Sequence, residues 1–182
     1  MHVNIFVMRH GTTVWNEKGI TQGRTNNRLS KSGIELTKQR AKAYENISFD
    51  IIYCSPLMRT IQTANIMNSF HNVSVIKDDR LIEIDQGIFS GKHKDDLTED
   101  ERKLKFARDK SCGMESYQSV YDRSKLFLEY IKDNCKYENI LVITHNCNAT
   151  LLEDLLLKVE VDFNNDKHVR NFKNAEIKKF EL

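Results

Sequence analysis

The sequence is poor in the residues that interrupt or cross-link chains. Among 182 residues there are one proline, seven glycines and one tryptophan. Such scarcity excludes a Pro- or Gly-rich linker between separate units, and neither an internal repeat nor a low-complexity segment is found. No apolar run approaches the ~20 residues that a membrane-spanning helix needs. The opening MHVNIFVMRH lacks the charged leader and small-residue cleavage site of an export signal. Charge of one sign is lacking too: 28 Lys and Arg face 26 Asp and Glu, a net +2. With no basic stripe, neither a nucleic-acid nor a membrane partner is expected. Four cysteines, at 54, 112, 135 and 147, have no metal-ligand spacing. They read as reduced thiols, which makes the cytoplasm the expected compartment.

At this length a single domain over 1–182 with a full core is expected. Strand-like apolar runs occur at 3–8, 50–54, 73–76 and 139–144, and the tail 168–181 alternates enough for one or two more. Helix-like stretches lie between them. One follows Leu29, with Ser30 and Ser32 as candidate caps and Ser32 and Glu35 as a candidate capping box. Another has Leu57, Ile61, Ala64 and Met67 at helical spacing after Ser55-Pro56, which reads as a cap followed by the first helical position. Further helices are expected at about 115–134 and 149–157. Alternating strands and helices predict an α/β fold, a three-layer α/β/α sandwich around a mostly parallel sheet. The densely charged stretch 92–110 reads as a solvated surface helix or lid.

In open α/β sheets, ligands bind at the carboxyl ends of the strands. Three predicted strands end in reactive groups there: Arg9-His10 after the first, Ser55 and Arg59 after the second, His145 after the fourth. Arg59 falls in the first helical turn, where free N–H groups and the dipole also favour an anion. Two guanidinium groups, two imidazoles and a helix N-terminus match a phosphoryl group. His2, His71, His93 and His168 have no such company and read as surface residues. Rival phosphate chemistries lack their motifs. Cys54 and Arg59 are separated by four residues, not the five a cysteine phosphatase uses, and no HxH, HExxH or DxDx(T/V) run is present.

With those residues in view, the chain resembles the histidine phosphatase superfamily, in its phosphoglycerate-mutase-like branch 1. The segments that carry the likeness are RHGTTVWN, QGRTNNRLSKSG, SPLMRTIQTA, RLIEIDQGIFSG, MES at 114–116 and VITHNCNATLL, in family order from residue 8 to about 157. The resemblance implies a phosphoglycerate-mutase-like fold with 90–113 as a short lid insertion. It implies His10 as the nucleophile, with Arg9, Arg59 and His145 on the phosphoryl oxygens. Glu83 is implied as the acid–base, with Asp85, two positions on, as its rival. Asn16, Gln22 and Gly23 would line the phosphate pocket, and Trp15 and Phe89 are candidate substrate walls. No metal or other cofactor is implied, because fixed cationic side chains do that work.

The expected activity is metal-independent hydrolysis of a small phosphomonoester through a phosphohistidine. Alternatives are a phosphoglycerate-type mutase and a non-catalytic member that binds phosphorylated ligands. The chain departs from the family where Asn146-Cys147-Asn148 follows the last histidine in place of Gly. Asn is the next-best residue for a left-handed turn, so that turn is expected to persist. Ile88-Phe89 replace a usual Trp, and Asn26-Asn27 stand near a usual Asp, which leaves the substrate open.

Overall fold

The computed structural model describes residues 3–134, 136–163 and 171–182. In chain order the elements are β1 (Asn4–Arg9), α1 (Val14–Glu17), α2 (Lys31–Ala43), β2 (Ile51–Cys54), α3 (Met58–Met67), β3 (Ser74–Lys77), α4 (Glu99–Phe106), α5 (Tyr117–Asn134), β4 (Asn139–Thr144), α6 (Asn146–Leu156) and β5 (Ile177–Glu181). The five strands form one sheet in the order β3-β2-β4-β1-β5. All pairings are parallel except that of β5 with β1. This is the expected α/β sandwich.

Alternation along the strands explains the layers. Ile5, Val7, Ile51, Tyr53, Ile140 and Val142 face one side, where Phe127, Leu128 and Ile131 of α5 and Leu152 of α6 cover them. Phe6, Met8, Ile52, Cys54, Leu141 and Ile143 face the other, under Ala41 of α2 and Ala64 and Met67 of α3. Strands buried on both faces must read as unbroken apolar runs, and these do.

Sheet register assembles the polar end of the fold. Arg9 pairs with Thr144, and the His10 N–H donates to the Thr144 carbonyl at 2.9 Å. The strand-end residues His10 and His145 therefore emerge side by side. Cys54 pairs with Ile143, so Ser55 emerges from the adjoining strand. Gly33, inside α2, permits the helix to meet the loop after β1: a Cβ there would lie 1.9 Å from the Thr12 carbonyl oxygen. Glycine costs a helix about 1 kcal/mol against alanine, and here it gains close approach.

Several expected details differ. Ser30 caps α2 through the Gly33 N–H at 3.0 Å, while Ser32 lies within the helix and its hydroxyl donates to Glu17, so no Ser32–Glu35 box forms. The helix after Ser55-Pro56 starts at Met58, with Leu57 at its cap and no side-chain cap bond. The Ser55 hydroxyl is engaged by His145 instead. The helix expected at 149–157 starts at Asn146, which is helical rather than left-handed. Phe89 is fully buried with Leu97, Cys112 and Met114, so it is core. His71 is half-buried, its ring 4.8 Å from that of Phe49. His93 is half-buried too and accepts from the Asp95 N–H at 3.2 Å. His2, Cys135 and His168 lie outside the described residues, as do positions 168–170 of the predicted tail strands.

Candidate active site

Above the carboxyl ends of β1, β2 and β4 opens a cavity of about 330 Å³. Arg9, His10 and Arg59 form its floor, with Asn16, Gln22, Gly23 and Glu83 on its walls. Neither His145, Asp85 nor Trp15 lines it.

His10 is buried, and its Nδ1 lies 2.6 Å from the Gly11 carbonyl oxygen. A carbonyl only accepts, so Nδ1 carries the proton and Nε2 keeps its lone pair. Burial, then the charges of Arg59 and Arg9, hold the imidazole pKa well below its usual 6.5, against the opposing Gly11 bond. A neutral ring with a free Nε2 in an electropositive cavity is a nucleophile suited to a dianion.

Arg59 is 1% exposed. Its Nε donates to Nδ1 of His145 at 3.1 Å, Nη1 to the Thr25 carbonyl at 2.7 Å and Nη2 to the Gly23 carbonyl at 2.8 Å. The guanidinium thus pins the 23–25 loop, and Gly23 turns there with φ +49°. Two of its five N–H groups remain for a ligand. Burial lowers its pKa to about 10, with Glu83 opposing and Arg9 assisting; it stays charged at neutral pH. Arg9 donates from Nη1 to the Phe172 carbonyl at 2.6 Å, and its buried Nε has no partner among the described residues. A buried N–H without an acceptor marks a place where an anion fits.

His145 stands behind this floor. Its ring centroid is 5.2 Å from that of His10. Because Arg59 donates to Nδ1, the proton sits on Nε2, 2.8 Å from the Ser55 hydroxyl. Burial first, then Arg59, keeps it neutral. The sheet therefore brings His145 to the group, facing Arg59 and Ser55 rather than the cavity.

Asn16 and Gln22 belong to one hydrogen-bond cluster. The Thr13 N–H donates to Oδ1 of Asn16 at 3.1 Å, and the Thr13 hydroxyl donates to Oε1 of Gln22 at 2.9 Å. With their oxygens held, the two amide NH₂ groups are the ends left for the cavity. Asn174 Nδ2 donates to the His10 carbonyl at 3.1 Å, and Asn146 Oδ1 accepts from the Phe172 N–H at 3.0 Å. The segment before β5 is thereby tied to His10 and to the start of α6.

Glu83 lies on an irregular stretch, not a strand, so alternation does not govern it. Burial raises its carboxyl pKa above the usual 4.5, against the Ile84 N–H, Arg59, Arg9 and Arg123. Asp85 instead accepts from the Gly87 N–H at 2.8 Å and pairs with Arg24 at 3.8 Å, closing its own turn. Of the two acids, Glu83 is the one at the cavity. Glu115, of the MES segment, braces this stretch. It is 11% exposed, pairs with Arg24 at 3.0 Å and Arg123 at 3.2 Å, and accepts from the Asp85 N–H at 3.2 Å. Arg24 in turn donates from Nε to the Glu83 carbonyl at 3.1 Å.

The cavity also includes Asn146 and Cys147, from the segment that departs from the family, and Lys105, Tyr117 and Phe163, which the sequence did not single out. Lys105 sits in a mixed-charge run that reads as solvent-facing, and nothing in its spacing sets it apart. Burial pushes the Cys147 thiol well above its usual range, so it stays protonated. Among the described residues no group of three or more His, Cys, Asp or Glu side chains is arranged to hold a metal ion. No helix among them is long and apolar enough to cross a membrane.

A doubly covered, mostly parallel sheet with a neutral histidine, two arginines and an acid at its carboxyl edge defines a class of phosphate-handling α/β protein. The chain belongs to the histidine phosphatase superfamily, branch 1, whose model matches residues 5–182. It is 34% identical over 170 residues to phosphoserine phosphatase 1 of Hydrogenobacter thermophilus, covering 87% of this chain and 78% of the relative. It is 29% identical over 161 residues to a protein of Escherichia coli named "Probable phosphoglycerate mutase GpmB", covering 85% and 75%. The solved alpha-ribazole phosphatase of Shigella flexneri superposes with a TM-score of 0.84 at 23% identity, over 97% of this chain and 89% of the other. That last likeness is one of fold.

Proposed function

We propose that the chain is a phosphatase that hydrolyses a small phosphomonoester, without a metal, through a phosphohistidine on His10. The observation that carries this reading is the pairing, across one cavity, of a neutral His10 that keeps a free Nε2 with a Glu83 carboxyl held protonated to higher pH than usual. Nε2 attacks phosphorus in line, and the P–O bond to the leaving group breaks. Glu83 gives its proton to that oxygen. The imidazole's positive charge is shared through Nδ1–H with the Gly11 carbonyl. Arg9 and Arg59 take the non-bridging oxygens, and the Nε2–H of His145 turns from Ser55 to the third. Glu83, now a carboxylate, then deprotonates a water that attacks phosphorus, releasing inorganic phosphate and neutral His10.

The name of the 34% identical relative supports hydrolysis and a small amino-acid ester as substrate; the name of the E. coli relative supports a mutase. We read 1–182 as one domain in which 90–113 is a short lid. Free thiols at Cys54, Cys112 and Cys147 support a cytoplasmic setting.

The test is p-nitrophenyl phosphate hydrolysis with EDTA present and no bisphosphoglycerate, comparing the unaltered chain with His10→Ala. Turnover by the unaltered chain alone is the expected result. Turnover that needs bisphosphoglycerate would favour the mutase, and turnover that survives His10→Ala would overturn the phosphohistidine.

A further inference from the structure

The reaction above leaves two charged groups of the cavity unused, Lys105 and Asp162. Lys105, on α4, lines the same cavity as His10 and Glu83. Its Nζ donates to the Thr21 hydroxyl at 2.8 Å and lies 5.8 Å from the centre of the Phe89 ring. Among the described residues no carboxylate reaches it within ion-pair distance. The other lysine of α4 is paired: Lys103 lies 3.2 Å from Glu99. The lysine that turns inward is thus the one without a counterion, and an anion beside a half-buried ammonium offsets its loss of solvent. Two of its three N–H donors remain after Thr21. Burial, then Arg108, lowers its pKa, consistent with a charge awaiting a partner.

The wall between Lys105 and the phosphate floor sets a length. Arg59 holds the Gly23 carbonyl and Lys105 holds the Thr21 hydroxyl. Thr21 and Gly23 stand two residues apart on one loop, so both cations flank the same wall of the cavity, as the ends of a short ligand require. Gln86 packs against Gly23 and also lines the cavity. Its buried Oε1 has no hydrogen-bond partner among the described residues. An orphaned acceptor there asks for an N–H or O–H on the ligand.

We propose that Lys105 is the specificity-determining residue of the site, receiving a carboxylate at the far end of a short phosphomonoester, while Gln86 accepts a hydrogen bond from an ammonium or hydroxyl beside that carboxylate. This assignment rests on the phosphatase reading. A single ammonium with two spare donors matches a monoanionic carboxylate better than a second, dianionic phosphate.

The test reads binding, so that it fails separately from hydrolysis. In the His10→Ala chain, calorimetry compares O-phosphoserine with O-phosphoethanolamine, which lacks only the carboxylate, and with propane-1,3-diol bisphosphate. O-phosphoserine is expected to bind at least tenfold more tightly than either. Lys105→Met should reduce its advantage over phosphoethanolamine to within threefold, Lys105→Glu should reverse it, and Lys105→Arg should keep it. The proposal is overturned if the His10→Ala chain shows no such preference, if the preference survives both Lys105→Met and Lys105→Glu, or if the bisphosphate binds most tightly. A chain that binds with this preference but hydrolyses nothing would count against the phosphatase reading alone.

Discussion

The Gly11 carbonyl, by accepting from Nδ1 of His10, decides which ring nitrogen is left to attack. Burial, with the charges of Arg59 and Arg9, then holds that ring neutral, so the proposed nucleophile stays active below the usual imidazole value of 6.5. Glu83 moves the other way, because burial keeps its proton into higher pH. The expected kcat/KM profile has an acid limb below 6.5 and an alkaline limb that reports Glu83. Glu83→Gln should cost about 10²–10⁴ in kcat/KM on an alkyl phosphate and far less on p-nitrophenyl phosphate, whose leaving group hardly needs a proton. Equal losses on the two esters would remove the acid role from Glu83. At this scale the sequence was informative where a residue follows a strand: Arg9, His10, Ser55 and His145 sit where the sheet must deliver them. It was silent on Lys105, whose inward turn depends on where α4 lands. It was silent too on the choice of Glu83 over Asp85, because their stretch is irregular and only the resemblance favoured Glu83.

Between elements, the link of greatest consequence is Glu115, which ties the loop of Arg24, the stretch of Glu83 and the α5 residue Arg123. Burial alone would raise its carboxyl pKa, but Arg123, Ser119 and Arg24 bring it below the usual 4.5. Removing one partner of such a pair leaves the other charge stranded. Glu115→Ala should therefore lower stability by about 3–5 kcal/mol, read as a lower urea midpoint. Lys103→Ala, which breaks an exposed pair on α4, should leave the midpoint in place. A Glu115→Ala midpoint equally unmoved would mean the brace is idle. Strands were legible as apolar runs because both sheet faces are covered, and α3 by the helical spacing of Leu57, Ile61, Ala64 and Met67. Helix starts were less legible, since a serine reads as a cap wherever it stands. Ser55 serves His145 instead, and Asn146 needs no left-handed turn once α6 begins at that residue.

For the whole molecule, two buried histidines set how folding responds to acid. His10 and His145 have folded pKa values well below 6.5, whereas the unfolded chain protonates near that value. Below about pH 6.5 the unfolded state binds protons that the folded state refuses, so stability falls as pH falls. Glu83 has the opposite sign: its raised folded pKa contributes stability at low pH that is lost as pH rises through that value. Two imidazoles against one carboxyl set the net direction, and Tm should fall steadily from pH 7 to 5.5. A flat Tm across that window would mean that the histidines accept protons in the folded state. The segment before β5 adds a feature of another kind. Arg9 is bonded to the carbonyl of Phe172, 163 positions away, and Asn174 to the carbonyl of His10. A ribosome adding roughly 5–20 residues per second releases the strand that ends in Arg9 and His10 on the order of ten seconds before the segment that completes their surroundings. Until then the nascent chain carries the proposed nucleophile without the frame that aims it, and the phosphate esters around the translating ribosome meet only an unassembled site.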